Sequence, residues 1–169
     1  MTMHWIATST STTTFSFTNI PQNFTHLHIR VFNPTSSNNG GWFMRMNSDT
    51  GSNYNRHISY GDGGGNAGTF NSIGATEYAG SFWGGSTSTA GPQISMTDLI
   101  DYSNTSRIKT FKTFYGNDIN GGGIVVIGSG AWRSTAAITS IEFIPSVTMG
   151  ANCRVDLYGI TSNPIATGA

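Results

Sequence analysis

The chain has 169 residues, the size of one domain, and only 9% of them are charged, against about a quarter in an ordinary soluble protein. Eight basic and eight acidic residues cancel to a net charge of zero, so no basic field is available for phosphates and nucleic acid is not an expected partner. Thr, Ser, Asn and Gly fill 80 of the positions, which opposes long helices, while the 12% aromatic content opposes disorder.

Met1 to Ile6 has no basic segment leading into an apolar run, and no stretch approaches a membrane span, so neither export nor a membrane partner is expected. From there the chain alternates apolar and polar residues in short blocks. Thr13, Phe15 and Phe17 alternate with Thr14, Ser16 and Thr18, and Asn19-Ile20-Pro21 ends the block. Thr25 to Phe32 puts Leu27, Ile29 and Val31 on one face and His26, His28 and Arg30 on the other. Asn33-Pro34 and Asn38-Asn39-Gly40-Gly41 break the chain before Trp42 to Asn47. The remaining predicted strands are Tyr54 to Tyr60, Ala75 to Phe82, Gln93 to Ile100, Arg107 to Tyr115, Ile124 to Ile127, Ile138 to Ile144 and Cys153 to Ile160.

Gly61 to Gly91 is dense in Gly, Ser, Thr and Ala and reads as long loops around one or two weak strands. Phe70, Ile73, Tyr78, Phe82 and Trp83 are the anchors expected to hold it on the rest of the domain. The pattern predicts one domain over 1–169, all-β, an antiparallel two-sheet sandwich of jelly-roll type with long Gly-rich loops. Val155 and Leu157 are expected to face inward. The single Cys153 has no partner for an intramolecular disulfide.

Asp49-Thr50-Gly51 matches the tripeptide of aspartic proteases, but no second copy exists and Met46-Asn47-Ser48 before it is not an apolar flank. An Asp capping a tight turn is the preferred reading. His26 and His28 have the spacing of a metal pair, with His4 and His57 elsewhere, yet no third ligand is identified and polar residues on a solvated or interface-facing strand fit better. Asp118-Ile119-Asn120 lacks the further acidic ligands of a calcium loop. The triplets Gly63-Gly64-Gly65 and Gly121-Gly122-Gly123 lack the Lys-Ser/Thr of a phosphate loop and read as turns. Asn23-Phe24-Thr25 and Asn104-Thr105-Ser106 match glycosylation sequons without an export signal. Trp5, Trp42, Trp83 and Trp132 are candidates for stacking on sugars, although a sandwich poor in aliphatics needs its aromatics for the core. No enzyme, cofactor or metal is expected.

Three collinear segments carry a resemblance: Phe17 to Arg30, Met46 to Tyr54, and Val155-Asp156-Leu157-Tyr158-Gly159-Ile160, with Trp132 and Ala136 to Phe143 between the last two. Together they resemble small virion structural proteins of tailed phages, notably marine and cyanobacterial ones. The resemblance implies a β-sandwich on the capsid surface, of the decoration or cement kind. It would bind the major capsid protein or another virion protein, as a homotrimer at a threefold or quasi-threefold position. In this reading Asn47, Asp49 and Gly51 shape a turn, and Asn53 and Tyr54 lead back into the sheet. Leu157, Tyr158, Gly159 and Ile160 close the last strand. The extended Gly-rich middle and Cys153 depart from the pattern. The alternative is a tail-fibre or receptor-binding module that recognises host surface glycan.

Overall fold

The computed structural model describes residues 1–33, 42–78, 93–118 and 123–161. These residues form eleven strands and no helix: β1 Thr2–Thr10, β2 Phe15–Phe17, β3 His26–Asn33, β4 Trp42–Met46, β5 Tyr54–Asp62, β6 Ala67–Ala75, β7 Gln93–Ile100, β8 Lys109–Asp118, β9 Gly123–Trp132, β10 Ile141–Pro145 and β11 Arg154–Thr161. Every pairing is antiparallel. The large sheet runs β1-β11-β3-β7-β8-β9-β5-β6 and the small one β2-β10-β4.

The two sheets pack face to face, and each contributes one face to a common core. Phe15, Phe17, Trp42, Met44, Met46, Ile141 and Phe143 come from the small sheet. Leu27, Ile29, Val31, Phe111, Tyr115, Val126, Trp132, Val155 and Leu157 come from the large one. Aromatic pairs fill the space the few aliphatics leave: Phe15 lies 5.0 Å from Trp42, and Phe17 meets Phe143 edge-on at 6.5 Å. Tyr78 is buried edge-on against Phe111 at 4.3 Å. Gly130 makes that contact possible, because a Cβ there would fall 2.4 Å from the Tyr78 ring and 2.5 Å from Phe111.

The all-β sandwich expected from the period-two blocks is present, with Val155 and Leu157 fully buried. Its strands divide eight and three, whereas a jelly roll is two Greek keys over eight strands, so the jelly-roll refinement finds no support. β1 sits where no strand is expected, and β6 is one of the weak strands expected within Gly61 to Gly91. β1 pairs with β11 from Thr2↔Thr161 to Thr10↔Arg154, and β6 pairs with β5. The strand expected over Ala75 to Phe82 is displaced: Ala75 ends β6, Tyr78 makes a lone bridge to Met44, and 79–82 lie outside the described residues. Of the expected anchors, Tyr78 is buried, whereas Phe70 and Ile73 are exposed because β6 is an edge strand with water on both faces. Trp83 and Phe82 lie outside the described residues. The strand expected from Ile138 starts instead at Ile141; Ile138 is buried, and its N–H is taken by the carbonyl of Tyr102 at 2.9 Å.

Candidate functional site

The Met46–Tyr54 corner is closed by its own hydrogen bonds. Asn47 and Ser48 adopt left-handed φ values of 52° and 54°. Asn47 Oδ1 accepts from the N–H groups of Thr139 at 2.8 Å and Ser140 at 3.1 Å, and its Nδ2 donates to the Ala137 carbonyl at 2.8 Å. Asp49 Oδ1 accepts from Gly51 N at 2.8 Å; its Oδ2 accepts from Trp132 Nε1 at 2.7 Å and Asn53 Nδ2 at 2.8 Å. The indole donor, followed by the amide and backbone donors, holds this carboxyl below its ordinary value despite partial desolvation. A proton-sharing dyad needs a second carboxylate at this point. Asp49 instead has an indole, an amide and a backbone N–H. The Tyr54 hydroxyl accepts from Met46 N at 3.0 Å and donates to the Asp49 carbonyl at 3.1 Å, and burial pushes the phenol up to about 12. Asn47, Asp49, Gly51, Asn53 and Tyr54 therefore form one latch that ties β4 to β9 and to the 133–140 segment.

Lys109 is a second latch, one that the sequence pattern did not single out. Its side chain is 1% exposed, and Nζ donates to the carbonyls of Asn104, Arg107 at 2.8 Å and Thr135 at 3.1 Å. Burial pulls its pKa down, yet three carbonyl dipoles replace the lost water. The β11 motif is built similarly around packing. Gly159 leaves room for the Phe24 ring, since a Cβ there would fall 2.2 Å from Phe24 Cγ, and Ile160 is nearly buried. Tyr158 turns to the opposite face.

That opposite face of the large sheet is covered by nothing among the described residues, and its composition is unusual. β7 points Gln93, Ser95, Thr97 and Leu99 into the core and Ile94, Met96, Asp98 and Ile100 outward, so three of its four inward residues are polar and three of its four outward ones apolar. In register across β3, β7, β8 and β9, Phe32, Ile94, Gly116 and Val125 form one outward row, and Arg30, Met96, Phe114 and Ile127 form the next. Ile127 is 64% exposed, and Ile94, Phe114 and Val125 are each 40% exposed or more. The inward polar groups of β7 are partly compensated: Thr97 and Thr113 hydroxyls meet at 3.1 Å, Tyr78 joins them at 3.2 Å, and Asn33 donates to Gln93 at 3.3 Å.

The third row of the open face is polar. His28 Nδ1 lies 2.6 Å from Asp98 Oδ1, Lys112 reaches Asp98 Oδ2 at 3.3 Å, and Arg30 Nε donates to His28 Nε2 at 3.2 Å. With Nε2 accepting, the ring proton sits on Nδ1 and is donated to Asp98. The guanidinium of Arg30 also lies 5.1 Å over the Tyr158 ring. Nearer β1, Thr8 Oγ1 donates to Asp156 at 2.6 Å and accepts from Trp5 Nε1 at 3.1 Å, while Arg154 Nε bonds the other Asp156 oxygen at 3.1 Å. Trp5 pairs across the strands with Tyr158 and is 65% exposed. Trp42 and Trp132 are both core residues, so Trp5 alone among the described tryptophans is free to stack on a ligand.

The paired histidines do not converge on a metal arrangement. His28 is engaged by Asp98, and His26 Nδ1 accepts from Asp101 N at 3.0 Å. Among the described residues no three His, Cys, Asp or Glu side chains gather as ligands. Cys153 is buried, and its thiol is pushed up to about 12, which keeps it protonated and inert. The Asp62-Gly63-Gly64-Gly65-Asn66 segment is a turn in which Asp62 Oδ1 accepts from Gly64 N at 3.0 Å and Asn66 N at 2.8 Å. A cavity of about 190 Å³ between β1 and β2, lined by Ile6, Phe17 and Leu157 among others, is smaller than the roughly 300 Å³ lower bound of ligand pockets.

Comparison of the chain with family models, with curated proteins and with solved structures finds no match. The class that the fold defines is an all-β protein of two antiparallel sheets, with one open sheet face as its most distinctive surface.

Proposed function

We propose that the chain is a non-enzymatic structural protein of a tailed-phage virion, a decoration protein that lies on the outer shell and stiffens the head. The observation that carries this reading is the inverted polarity of β7, which gives the open face Ile94, Met96 and Ile100 and leaves Gln93, Ser95 and Thr97 inside. A one-residue slip would bring Ile94, Met96 and Ile100 inward only by burying Asp98 and exposing Leu99, so the strand keeps three apolar side chains outside. The arrangement makes sense for a face that works covered. Eight strands at about 4.8 Å spacing and four outward rows at about 7 Å give roughly 1,100 Å², more than the ~800 Å² per partner of a standard protein interface. Repeated over hundreds of copies, such contacts add up to a stiffer shell although each is modest. The resemblance of the Phe17–Arg30, Met46–Tyr54 and Val155–Ile160 segments to phage surface proteins supplies the partner, the major capsid protein or another shell protein.

The test is particle stability. Particles lacking the chain should release their genome at a lower temperature, and added protein should restore resistance, whereas protein with Ile94→Ser and Ile127→Ser should fail to bind. One observation supports a second reading, glycan recognition: Trp5 is exposed, its indole nitrogen is anchored by Thr8, and Tyr158 lies beside it. If depleted particles are as stable as complete ones, and Trp5→Ala abolishes adsorption to host cells, the receptor-binding reading replaces the first.

A further inference from the structure

The free edges of the two sheets are not equally guarded. The small sheet ends on β2, which is three residues long, and on β4, whose Met44 is bridged by Tyr78. At one end of the large sheet, β1 carries a register shift between Trp5 and Ala7 and leans on β2. At the other end, β6 runs for nine residues, Ala-Gly-Thr-Phe-Asn-Ser-Ile-Gly-Ala, with no charged residue and no proline. Its pairing to β5 is regular from Ala67↔Gly61 to Ile73↔Asn55, with a bulge at Gly74 before Ala75↔Tyr54, and no described strand pairs with its outer side. Monomeric proteins blunt such edges with lysine, proline, bulges or short strands, and of these β6 has only the bulge at Gly74, near its end. Here the bare edge carries Phe70, 49% exposed, on the core-side face and Ile73, 67% exposed, on the open face. The Arg56 guanidinium sits 4.6 Å over the Phe70 ring and holds it in place.

We propose that the occupant of this edge is a second copy of the chain, added antiparallel through β6 about a twofold axis at Asn71, so that two eight-stranded sheets become one of sixteen. An axis perpendicular to the sheet keeps both cores on the same side, which requires that residues of like face oppose each other. Centring it on Asn71 meets this requirement and sets the regular run Thr69 to Ile73 against its own copy, with the Gly74 bulge outside it. Ile73 then lies beside the partner's Thr69, and Phe70 beside the partner's Ser72, so each exposed apolar group gains a small neighbour. Asn71 faces the partner's Asn71, and each amide nitrogen donates to the other's oxygen. The strand has no charge to repel its copy, and the net charge of zero leaves no long-range repulsion between chains. The pairing stands or falls independently of whether the chain coats a shell.

Sedimentation equilibrium of the full chain, with cysteine cross-linking, tests it. The 18.0 kDa chain should sediment as a dimer, and Asn71→Lys, which sets two ammonium groups against each other on the axis, should sediment as a monomer with unchanged circular dichroism. Asn71→Cys should form an intermolecular disulfide on mild oxidation, because directly opposed residues lie about 4.5–5.5 Å apart at Cα, within disulfide range. Thr69→Cys, which opposes Ile73, should not cross-link, and buried Cys153 leaves the introduced thiol as the reactive one. A monomeric wild type, a trimer, or a dimer that persists in Asn71→Lys overturns the proposal. So does equal cross-linking of the two cysteine variants, which decides the matter even if Asn71→Lys precipitates.

Discussion

The two faces of the eight-stranded sheet are made by the same strands in the same register, yet they follow different rules. On the core side, β3, β8 and β11 present Leu27, Ile29, Phe111, Tyr115, Val155 and Leu157, and the small sheet closes over them. On the open side, β3 and β11 are polar and tied to β7 and β8 by His28, Asp98, Lys112 and Arg30, whereas the Ile94 and Met96 rows of β7 to β9 are mainly apolar and bare. β7 is where the two rules collide. Its register is set by seven paired positions with β8 and eight with β3, which place Leu99 inside and Asp98 outside but also leave Ile94, Met96 and Ile100 on the open face. Burial on this sheet is thus a property of the assembly as much as of the chain.

Substitutions on the two faces separate these roles. The largest effect is expected inside: Leu157→Ala should cost about 2–5 kcal/mol in urea unfolding, because a fully buried side chain leaves a cavity between the sheets. Loss of less than 1 kcal/mol would mean that the core side packs loosely. Next comes Lys109→Met, which leaves the carbonyls of Asn104, Arg107 and Thr135 without a donor; about 2–3 kcal/mol should be lost, with the 101–108 and 133–140 segments showing faster hydrogen exchange.

Asp49→Ala should cost about 1–2 kcal/mol at neutral pH, since it removes an acceptor used by Trp132, Asn53 and Gly51. The sign with pH follows from a folded carboxyl held below the unfolded value of 3.8. Its contribution is present above the unfolded value and is lost as pH falls through the folded one, so the stability gap between wild type and variant should narrow as acid protonates Asp49. A gap that widens in acid would contradict the latch. The smallest effect on stability is expected outside: Ile127→Ser should change unfolding by less than about 0.5 kcal/mol, and under the proposed function it should weaken binding to the shell. A large loss of stability would show that the open face is part of the monomer's core.

The same contrast explains what the amino-acid pattern discloses. β3 and β11 are legible because each has a buried side and a polar side, so Leu27, Ile29 and Val31, or Val155 and Leu157, recur every second residue. β6 is not legible, because an edge strand bathed on both faces has no reason to alternate, and Gly68 and Gly74 interrupt what pattern Phe70 and Ile73 make. β1 escapes for the same reason: Trp5 and Met3 face solvent on the open side. The turn role of the Asp49 corner is visible in Asp-Thr-Gly, but its partner Trp132 lies 83 residues away and only the folded chain brings them together. Lys109 is invisible in principle, because a lone lysine among polar residues reads as surface, and only the convergence of three backbone carbonyls buries it. The open face is hidden likewise: Ile94, Met96 and Ile100 read as core until the neighbouring strands fix which way they point.

The pairing of β1 with β11 brings Thr2 against Thr161 and sets a timetable for synthesis. β1 is the first of the eleven strands to leave the ribosome and β11 the last, and at about 5–20 residues per second the interval between them is on the order of ten seconds. Through that interval nine residues of β-prone, almost uncharged chain wait without a partner, and β3 waits with one edge bare. Closing the sheet is therefore the final and most non-local event of folding, slow by the same loop entropy that makes distant strand pairs slow in general. The vulnerable species in the life of this protein is the nascent chain that has made ten strands and lacks the eleventh.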